Sequence, residues 1–385
     1  LITAFFRNAA VREQVTALCS TPSAKAKLAE EGFSTSADEI ERRLSLMNEM
    51  RSLLMLERDF PDGDYPDPAP LVAKIRVEGS YLLAAEADQL RKALVTVGAI
   101  AEFILGRGGA RYPRLWELSR RVTLFPEIVR AIDAILDDRG EVKDSASPEL
   151  QQVRRAIRER EGQAAKRLQQ VLQRAKQAGI VDADAVLSVR DGRPVIPVAA
   201  ANKRKLQGFI HDESATGRTF YVEPVEVVEI NNELKELEYA ERREVVKVLS
   251  AFTESIRPDA EAIADAGDYL SSVDMIRAKA RWALANDAGK PILSTDDRLE
   301  LRTARHPLLQ QTLRAQGREV VPLDLALDRR KHILVISGPN AGGKSVCLKT
   351  TGLMQYLFQC GYPVPASEVS ELPVFRSIFI DIGDE

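Results

Sequence analysis

Apolar side chains recur at helical spacing through the first part of the chain. Two sets each share one helical face: Ile40, Leu44, Met47 and Leu54, followed by Leu83, Leu90, Leu94 and Val97. The Pro- and Asp-rich stretch 60–70 and the stretch 106–113 break this pattern. The sequence therefore predicts a helical body over residues 1–147.

Two longer amphipathic stripes follow the helical body. The first begins at Pro148 and runs to about Ala178, where Gly179 provides a C-terminal stop. The second begins near Glu223 and runs to about Ile256. A 30-residue helix extends roughly 45 Å. The pattern predicts two long helices that form an arm.

Between these helices the apolar period changes from helical spacing to strict alternation. Segments 186–189 and 194–198 flank Asp191-Gly192, and segments 206–211 and 219–222 flank a turn-rich stretch, 214–217. Each arrangement is a hairpin signal. The sequence predicts a small sheet of about four strands at the far end of the arm.

Charge divides unevenly between the two long helices. Residues 151–178 carry eight basic side chains against Glu159 and Glu161, whereas residues 224–249 carry seven Glu. This favours antiparallel pairing with ion pairs along the flanks, and the alternative is a basic track for phosphates. A further basic cluster in the strand-linking loop is a candidate nucleic-acid contact; its members are Lys203, Arg204 and Lys205.

Composition narrows the class of protein only slightly. Of 385 residues, 45% are hydrophobic and 29% are charged, with a net charge of −3, so any basic surface has to be local. The three cysteines are too scattered for a disulfide framework, which favours a cytoplasmic location. The apolar run 93–105 is too short to span a membrane. Without an initiator Met, and ending just after an apolar run, the chain is expected to be a fragment.

The strongest chemical signal is a phosphate-binding loop near the C-terminal end. An apolar run, 333–336, predicts a buried parallel strand, and a helix is predicted from Lys344 to Cys360. The residues between them match G-x-x-x-x-G-K-[ST] and are predicted to bind ATP; they are Gly338, Pro339, Asn340, Ala341, Gly342, Gly343, Lys344 and Ser345. Glycines let backbone amides face a polyphosphate, Lys344 supplies a mobile charge, and Ser345 offers its hydroxyl to Mg²⁺.

An acidic residue after the phosphate-binding loop suggests an alternative function. Segment 377–381 is predicted as a strand that ends in Asp381, which follows Lys344 by 37 residues. That spacing suits a small kinase-like phosphotransferase in which Asp381 holds the metal. The long arm argues against this alternative, because phosphoryl transfer needs no such extension. A chromosome-organising coiled-coil ATPase is also disfavoured, because there the phosphate loop precedes the arms.

Four stretches resemble the MutS family of ATPases, and within it the short second bacterial paralogue of MutS. They are Arg305-His306-Pro307, residues 338–353, Asp381 to Glu385, and residues 208–219 with Glu223-Pro224 and Asn231 to Leu234. The resemblance covers nearly the whole chain. It implies a mainly α fold with α/β parts: a helical core over 1–147, lever helices over 148–257 with a β-rich clamp at about 180–223, a return to the core over 258–290, and the first part of an ABC-type P-loop ATPase domain over 291–385.

The resemblance also implies function. Family members are ATP-dependent clamps that dimerise through their ATPase domains, and this branch is implied to suppress homologous recombination on branched DNA and to act on collided ribosomes. The catalytic Asp-Glu pair and the branch's nuclease domain are implied to lie beyond Glu385, so no catalytic residue is expected within the chain. Val320 and Val321 are candidates for contacting adenine, and His306 is implied to order a turn near the nucleotide. The sequence leaves open whether DNA or the ribosome is the target.

Overall fold

The protein is described here from a computed structural model, which covers residues 9–190, 192–338 and 343–379. This part of the chain is mainly helical and has two small four-stranded sheets. The predicted mixture of helical structure with a smaller β component is confirmed. The chain divides into two compact units: unit 1 comprises residues 1–76, 89–129 and 258–385, and unit 2 comprises residues 77–88 and 130–257.

Helices make up most of both units. In chain order they are α1 (Ala9–Ala17), α2 (Pro22–Glu30), α3 (Ala37–Leu56), α4 (Ala69–Ile75), α5 (Ala84–Gly106), α6 (Pro113–Ser119), α7 (Pro126–Ile135), α8 (Pro148–Gln177), α9 (Val225–Ile256), α10 (Ala260–Ala285), α11 (Pro307–Ala315) and α12 (Lys344–Gln359). Local sequence explains several starts. Ser147 precedes α8, and its hydroxyl accepts a hydrogen bond from Leu150 N at 3.0 Å. The stripes predicted within 40–54 and 83–97 lie in α3 and, apart from Leu83, in α5.

Unit 1 is built around two apolar clusters. One packs the N-terminal helices α1–α3 against α10 and α12, with Trp282 and Phe358 among its largest buried side chains. The other joins α3, α5 and α10 through residues such as Met50, Ile100 and Leu270. Because α12 follows the phosphate-loop sequence, this packing connects the candidate nucleotide region to the helical body.

In unit 2 the long helices α8 and α9 run antiparallel. Three ion pairs join them: Arg154–Glu241 at 2.7 Å, Arg160–Glu233 at 2.8 Å and Arg174–Glu226 at 3.5 Å. The residue numbers rise along α8 while those of the partners fall along α9, as antiparallel helices require. The predicted antiparallel pairing with ion pairs is therefore confirmed. Gly179 ends α8 with a φ of 64°, and Ile180 N donates to Ala175 O at 2.9 Å.

Both predicted hairpins are present in unit 2. The strands β1 (Ser188–Arg190), β2 (Arg193–Ala199), β3 (Gly208–Glu213) and β4 (Thr219–Pro224) form an antiparallel sheet in the order β1-β2-β4-β3. Its buried side, which includes Ile196, Val198 and Val222, packs on Leu168 and Val171 of α8. The sheet therefore shares one apolar cluster with the distal half of α8.

Unit 1 has a second sheet with shorter strands. The strands β5 (Ile292–Leu293), β6 (Leu299–Ala304), β7 (Leu323–Leu327) and β8 (Glu371–Leu372) lie in the order β5-β8-β6-β7. Only β5 and β8 are parallel, and the other pairs are antiparallel. This sheet contributes Leu299, Leu301 and Leu372 to the core that contains α12.

Two predicted strands are wrong over the residues that can be described. Segment 333–336 forms no strand, and its side chains are exposed, from 40% for Ile336 to 84% for Val335. Segment 377–379 is also irregular, and Phe379 is 83% exposed. A strand exists only when neighbouring backbone satisfies its N–H and C=O groups, and the described residues place no strand beside either run. Apolar content alone therefore overpredicted them.

Candidate functional site

Two glycines bracket the phosphate-loop sequence with unusual backbone angles. Gly338 has φ 144° and Gly343 has φ 82°, values that side-chain-bearing residues rarely adopt. An added Cβ at either position would meet no atom of the described chain within 4 Å. The glycines are therefore required by conformation and not by close packing. Four predicted contacts, Pro339 to Gly342, lie outside the described residues.

The N-terminus of α12 is open to an anion. Gly343 is its N-cap, and no side chain caps the helix; the amides of such a helix N-terminus favour an anion. Ser345 is exposed in the first turn. Lys344 Nζ donates to Gly338 O at 2.6 Å, so the ammonium group lies against the first residue of the loop. A mobile cation, a hydroxyl and the backbone amides of a helix N-terminus form a donor set suited to a polyphosphate and its metal ion.

The opposite end of α12 is held by a buried amide network that the sequence did not reveal. The Gln359 side chain is fully buried; its Nε2 donates to Ser34 O at 3.0 Å and to Phe375 O at 2.7 Å, while its Oε1 accepts from Phe375 N at 3.1 Å. Gln355 Nε2 donates to Gln359 Oε1 at 2.8 Å. These bonds connect α12 to the loop between α2 and α3 and to the segment after β8.

Other residues singled out by the sequence lie in varied surroundings. His306 caps α11, and burial together with the charge of Lys349 lowers the pKa of its imidazole. His306 Nδ1 is buried and has no hydrogen-bond partner in the described chain. Val321 is 87% exposed and Val320 is half-buried, and their contact with adenine stays a prediction.

In unit 2, residues from the stretches that resemble the MutS family surround one buried carboxylate. Glu223, only 1% exposed, accepts from Arg193 Nη1 at 2.9 Å, from Asn231 Nδ2 at 2.6 Å, and lies 2.6 Å from His211 Nε2. Burial raises the pKa of Glu223, but the hydrogen bonds from Asn231, His211 and Arg193 outweigh it and keep the pKa below its usual value. Gly208 lies opposite, where a Cβ would overlap the Glu223 carbonyl oxygen. The cluster connects the sheet to α9.

The predicted basic cluster lies in an ordered, exposed loop. Lys203, Arg204 and Lys205 are all exposed, directly after a short 3₁₀ turn. Asn202 anchors that turn by donating to Ile180 O at 3.0 Å. Lys203 Nζ lies 4.4 Å from the centre of the Phe220 ring. The structure thus presents the three cations together beside β4.

The kinase-like alternative assigns the metal ion to Asp381. Asp381 lies outside the described residues. Within 9–190, 192–338 and 343–379, no group of three or more His, Cys, Asp or Glu side chains could hold a metal ion. In the same residues, no helix is both long enough and apolar enough to cross a membrane.

Comparison with known proteins identifies the family. No protein-family model matches the chain. Endonuclease MutS2 of Bacillus velezensis is 34% identical over 377 residues, which cover 97% of this chain and 47% of that protein. Endonuclease MutS2 of Pelotomaculum thermopropionicum is 36% identical over 344 residues, covering 89% and 42%, respectively. The corresponding protein of Thermomicrobium roseum is 34% identical over 388 residues, covering 97% and 48%.

The chain spans about half the length of the curated relatives it matches. The similarity extends through the helices, the unit 2 sheet and the phosphate-loop sequence, because it covers up to 97% of the chain. This similarity agrees with the resemblance inferred from the motifs. The chain belongs to the MutS2 family.

Proposed function

We propose that this chain is the ATP-binding and nucleic-acid-clamping part of a MutS2 protein. ATP and Mg²⁺ bind at residues 338–345, α8 and α9 act as levers, and the unit 2 sheet is a clamp that contacts branched DNA. In the whole protein these parts dimerise through ATPase domains, suppress homologous recombination and act on collided ribosomes, and they operate together with an endonuclease activity. The relatives' name, Endonuclease MutS2, supports the DNA-directed part of this proposal.

The arrangement at the start of α12 carries the nucleotide assignment. Backbone amides at a helix N-terminus, preceded by glycines with positive φ, form the cradle expected for phosphate oxygens. Lys344 would exchange its bond to Gly338 O for the β and γ phosphates, and the Ser345 hydroxyl would hold Mg²⁺. The bound metal would supply charge neutralisation between the phosphates. These residues bind and orient the nucleotide.

A polypeptide of these 385 residues is expected to bind ATP weakly and not to hydrolyse it. Hydrolysis requires a carboxylate that orients the attacking water and usually a second subunit that completes the γ-phosphate site. The resemblance assigns the catalytic Asp-Glu pair to sequence after Glu385. In a coupled phosphate-release assay, turnover should equal the background given by Lys344→Ala. Turnover clearly above that background would favour the kinase-like alternative, with Asp381 as the metal ligand.

The loop beside β4 is proposed to contact phosphates. Replacing Lys203, Arg204 and Lys205 by Ala should weaken binding to a four-way DNA junction. The slope of log affinity against log salt should flatten by about 0.9 per lost phosphate contact. A second exposed three-residue basic cluster, Arg329-Arg330-Lys331 in unit 1, gives a control with the same charge change. An unchanged slope in the first variant would show that its loop is merely solvated.

DNA and the ribosome share the sugar-phosphate chemistry that this loop recognises. The two targets are separated by measuring the full-length relative side by side on four-way junctions and on stalled ribosomes. Tight binding to the junction alone would support the DNA assignment. Tight binding to the ribosome alone would indicate that the clamp contacts ribosomal RNA.

A further inference from the structure

The basic residues of α8 differ sharply between its two halves. In the first half every arginine is ion-paired: Arg154 with Glu241 and Asp144, Arg155 with Glu159, Arg158 with Asp144, and Arg160 with Glu233. The distances range from 2.7 to 3.1 Å. These charges are compensated within unit 2, so the first half of α8 has no surplus positive charge to offer a ligand.

The second half of α8 carries uncompensated charge. Residues 162–177 contain no Asp or Glu. Lys166 and Arg167 are exposed and make no ion pair within the described chain. Arg174 lies 3.5 Å from Glu226, and its side chain remains 59% exposed. A solvated helix normally mixes both signs of charge, so an acid-free half of this length favours a negatively charged partner.

Lys166, Arg167 and Arg174 lie in one shallow groove along the outer face of α8. The groove has a volume of about 620 Å³. Only lysine, arginine and glutamine side chains line it: Lys166, Arg167, Gln169, Gln170, Gln173, Arg174 and Gln177. The opposite face of the helix, which includes Leu168 and Val171, is buried against the sheet. The groove spans roughly 16 Å along the helix axis, about the rise of five base pairs of duplex.

We propose that this face of α8, defined by Lys166, Arg167, Gln170, Gln173, Arg174 and Gln177, binds the sugar-phosphate backbone of a nucleic acid. The inference rests on the proposed nucleic-acid function and adds a second contact surface to the loop at 203–205. Lys and Arg neutralise phosphates, while each Gln amide both donates and accepts and so fits sugar hydroxyls and base edges. An acidic protein fits less well, because residues 162–177 include no aromatic or Met side chain to anchor a protein interface.

Two double variants test the cationic contacts. Lys166→Gln with Arg167→Gln removes two charges from the groove and preserves helix propensity. Arg242→Gln with Arg243→Gln removes two charges from exposed positions on α9 and serves as the matched control. Binding is measured at several salt concentrations to a four-way DNA junction, to an RNA duplex and to poly-glutamate. Unchanged thermal melting by circular dichroism shows that each variant is folded.

The groove variant should bind DNA and RNA about tenfold more weakly near 0.1 M salt, with a salt slope reduced by about two, while the control matches the parent. Gln170→Ala with Gln173→Ala should lower affinity for nucleic acid at every salt concentration without changing the slope, because amide contacts release no counterions. Equal losses of affinity for DNA and RNA would indicate contacts to the backbone that both share. A larger loss of affinity for RNA would indicate contacts to the 2′-hydroxyl group.

Three results would overturn the proposal. If the parent binds the junction and the groove variant binds it equally well, the groove is not a contact surface, although the proposed function survives. If poly-glutamate binding falls as much as nucleic-acid binding, the groove recognises acidic chains in general. If the parent binds neither nucleic acid, the proposed function fails and this inference fails with it.

Discussion

Replacing Lys344 by Ala is expected to eliminate measurable ATP binding. A charge-assisted hydrogen bond contributes about 1.5–3 kcal/mol, and a phosphate left without its cation adds an electrostatic cost. We expect the affinity to fall at least about 100-fold. The measurement is calorimetric titration of the chain with ATP and Mg²⁺, comparing parent and variant.

The same variant should leave unit 1 folded, because Lys344 Nζ donates to the backbone of Gly338 and its side chain is not part of either apolar cluster of unit 1. Both tryptophans, Trp116 and Trp282, belong to unit 1, so their fluorescence reports its unfolding. Lys331→Ala, an exposed lysine ahead of the loop, is the matched control and should bind ATP normally. Equal ATP affinity in parent and Lys344→Ala would refute the nucleotide assignment.

Replacing Asp274 by Ala is expected to destabilise unit 1 strongly. Asp274 Oδ1 accepts from Arg277 Nη2 at 2.9 Å, and both side chains are fully buried. Asp274 Oδ2 accepts from the backbone N of Thr21 at 2.8 Å and from its hydroxyl at 3.0 Å. The substitution leaves a buried guanidinium without its buried partner, which costs about 3–5 kcal/mol in the free energy of unfolding.

Chemical denaturation followed by tryptophan fluorescence measures this loss. The matched control is Asp268→Ala on the same helix, where Asp268 pairs with Lys27 but is 68% exposed. An exposed pair contributes about 1 kcal/mol or less. If Asp274→Ala lowers the free energy of unfolding no more than this control does, the buried pair is not a principal support of unit 1.

Local signals in the sequence were sufficient for much of unit 2. The hairpin pairing of Arg190 with Arg193 follows from a two-residue turn, and the long helices follow from apolar stripes that continue for 30 residues in α8 and 32 in α9. The start of α12 at Lys344 follows from the phosphate-loop motif itself. In each case the information lies within a few turns or strands of chain.

The remaining features depend on distant partners. Gln359 reaches the carbonyl of Ser34, which lies 325 positions earlier, and Asp274 reaches Thr21 across 253 positions. A glutamine or aspartate in a helix looks the same in the sequence whether it is solvated or buried, so its partners cannot be inferred. For the run at 333–336, the sequence records apolar character but not which backbone would pair with it.

The Gln359 network has a consequence for how α12 can move. With its C-terminal end bonded to Ser34 and Phe375, the helix has a fixed point at Gln359. Its 16 residues extend roughly 24 Å at 1.5 Å per residue. A displacement of about 1 Å at the phosphate end therefore corresponds to a rotation of only about 2–3° about Gln359. Because Gln359 bonds the backbone of Ser34 and Phe375, we expect such a rotation to move the connection between α2 and α3 as well.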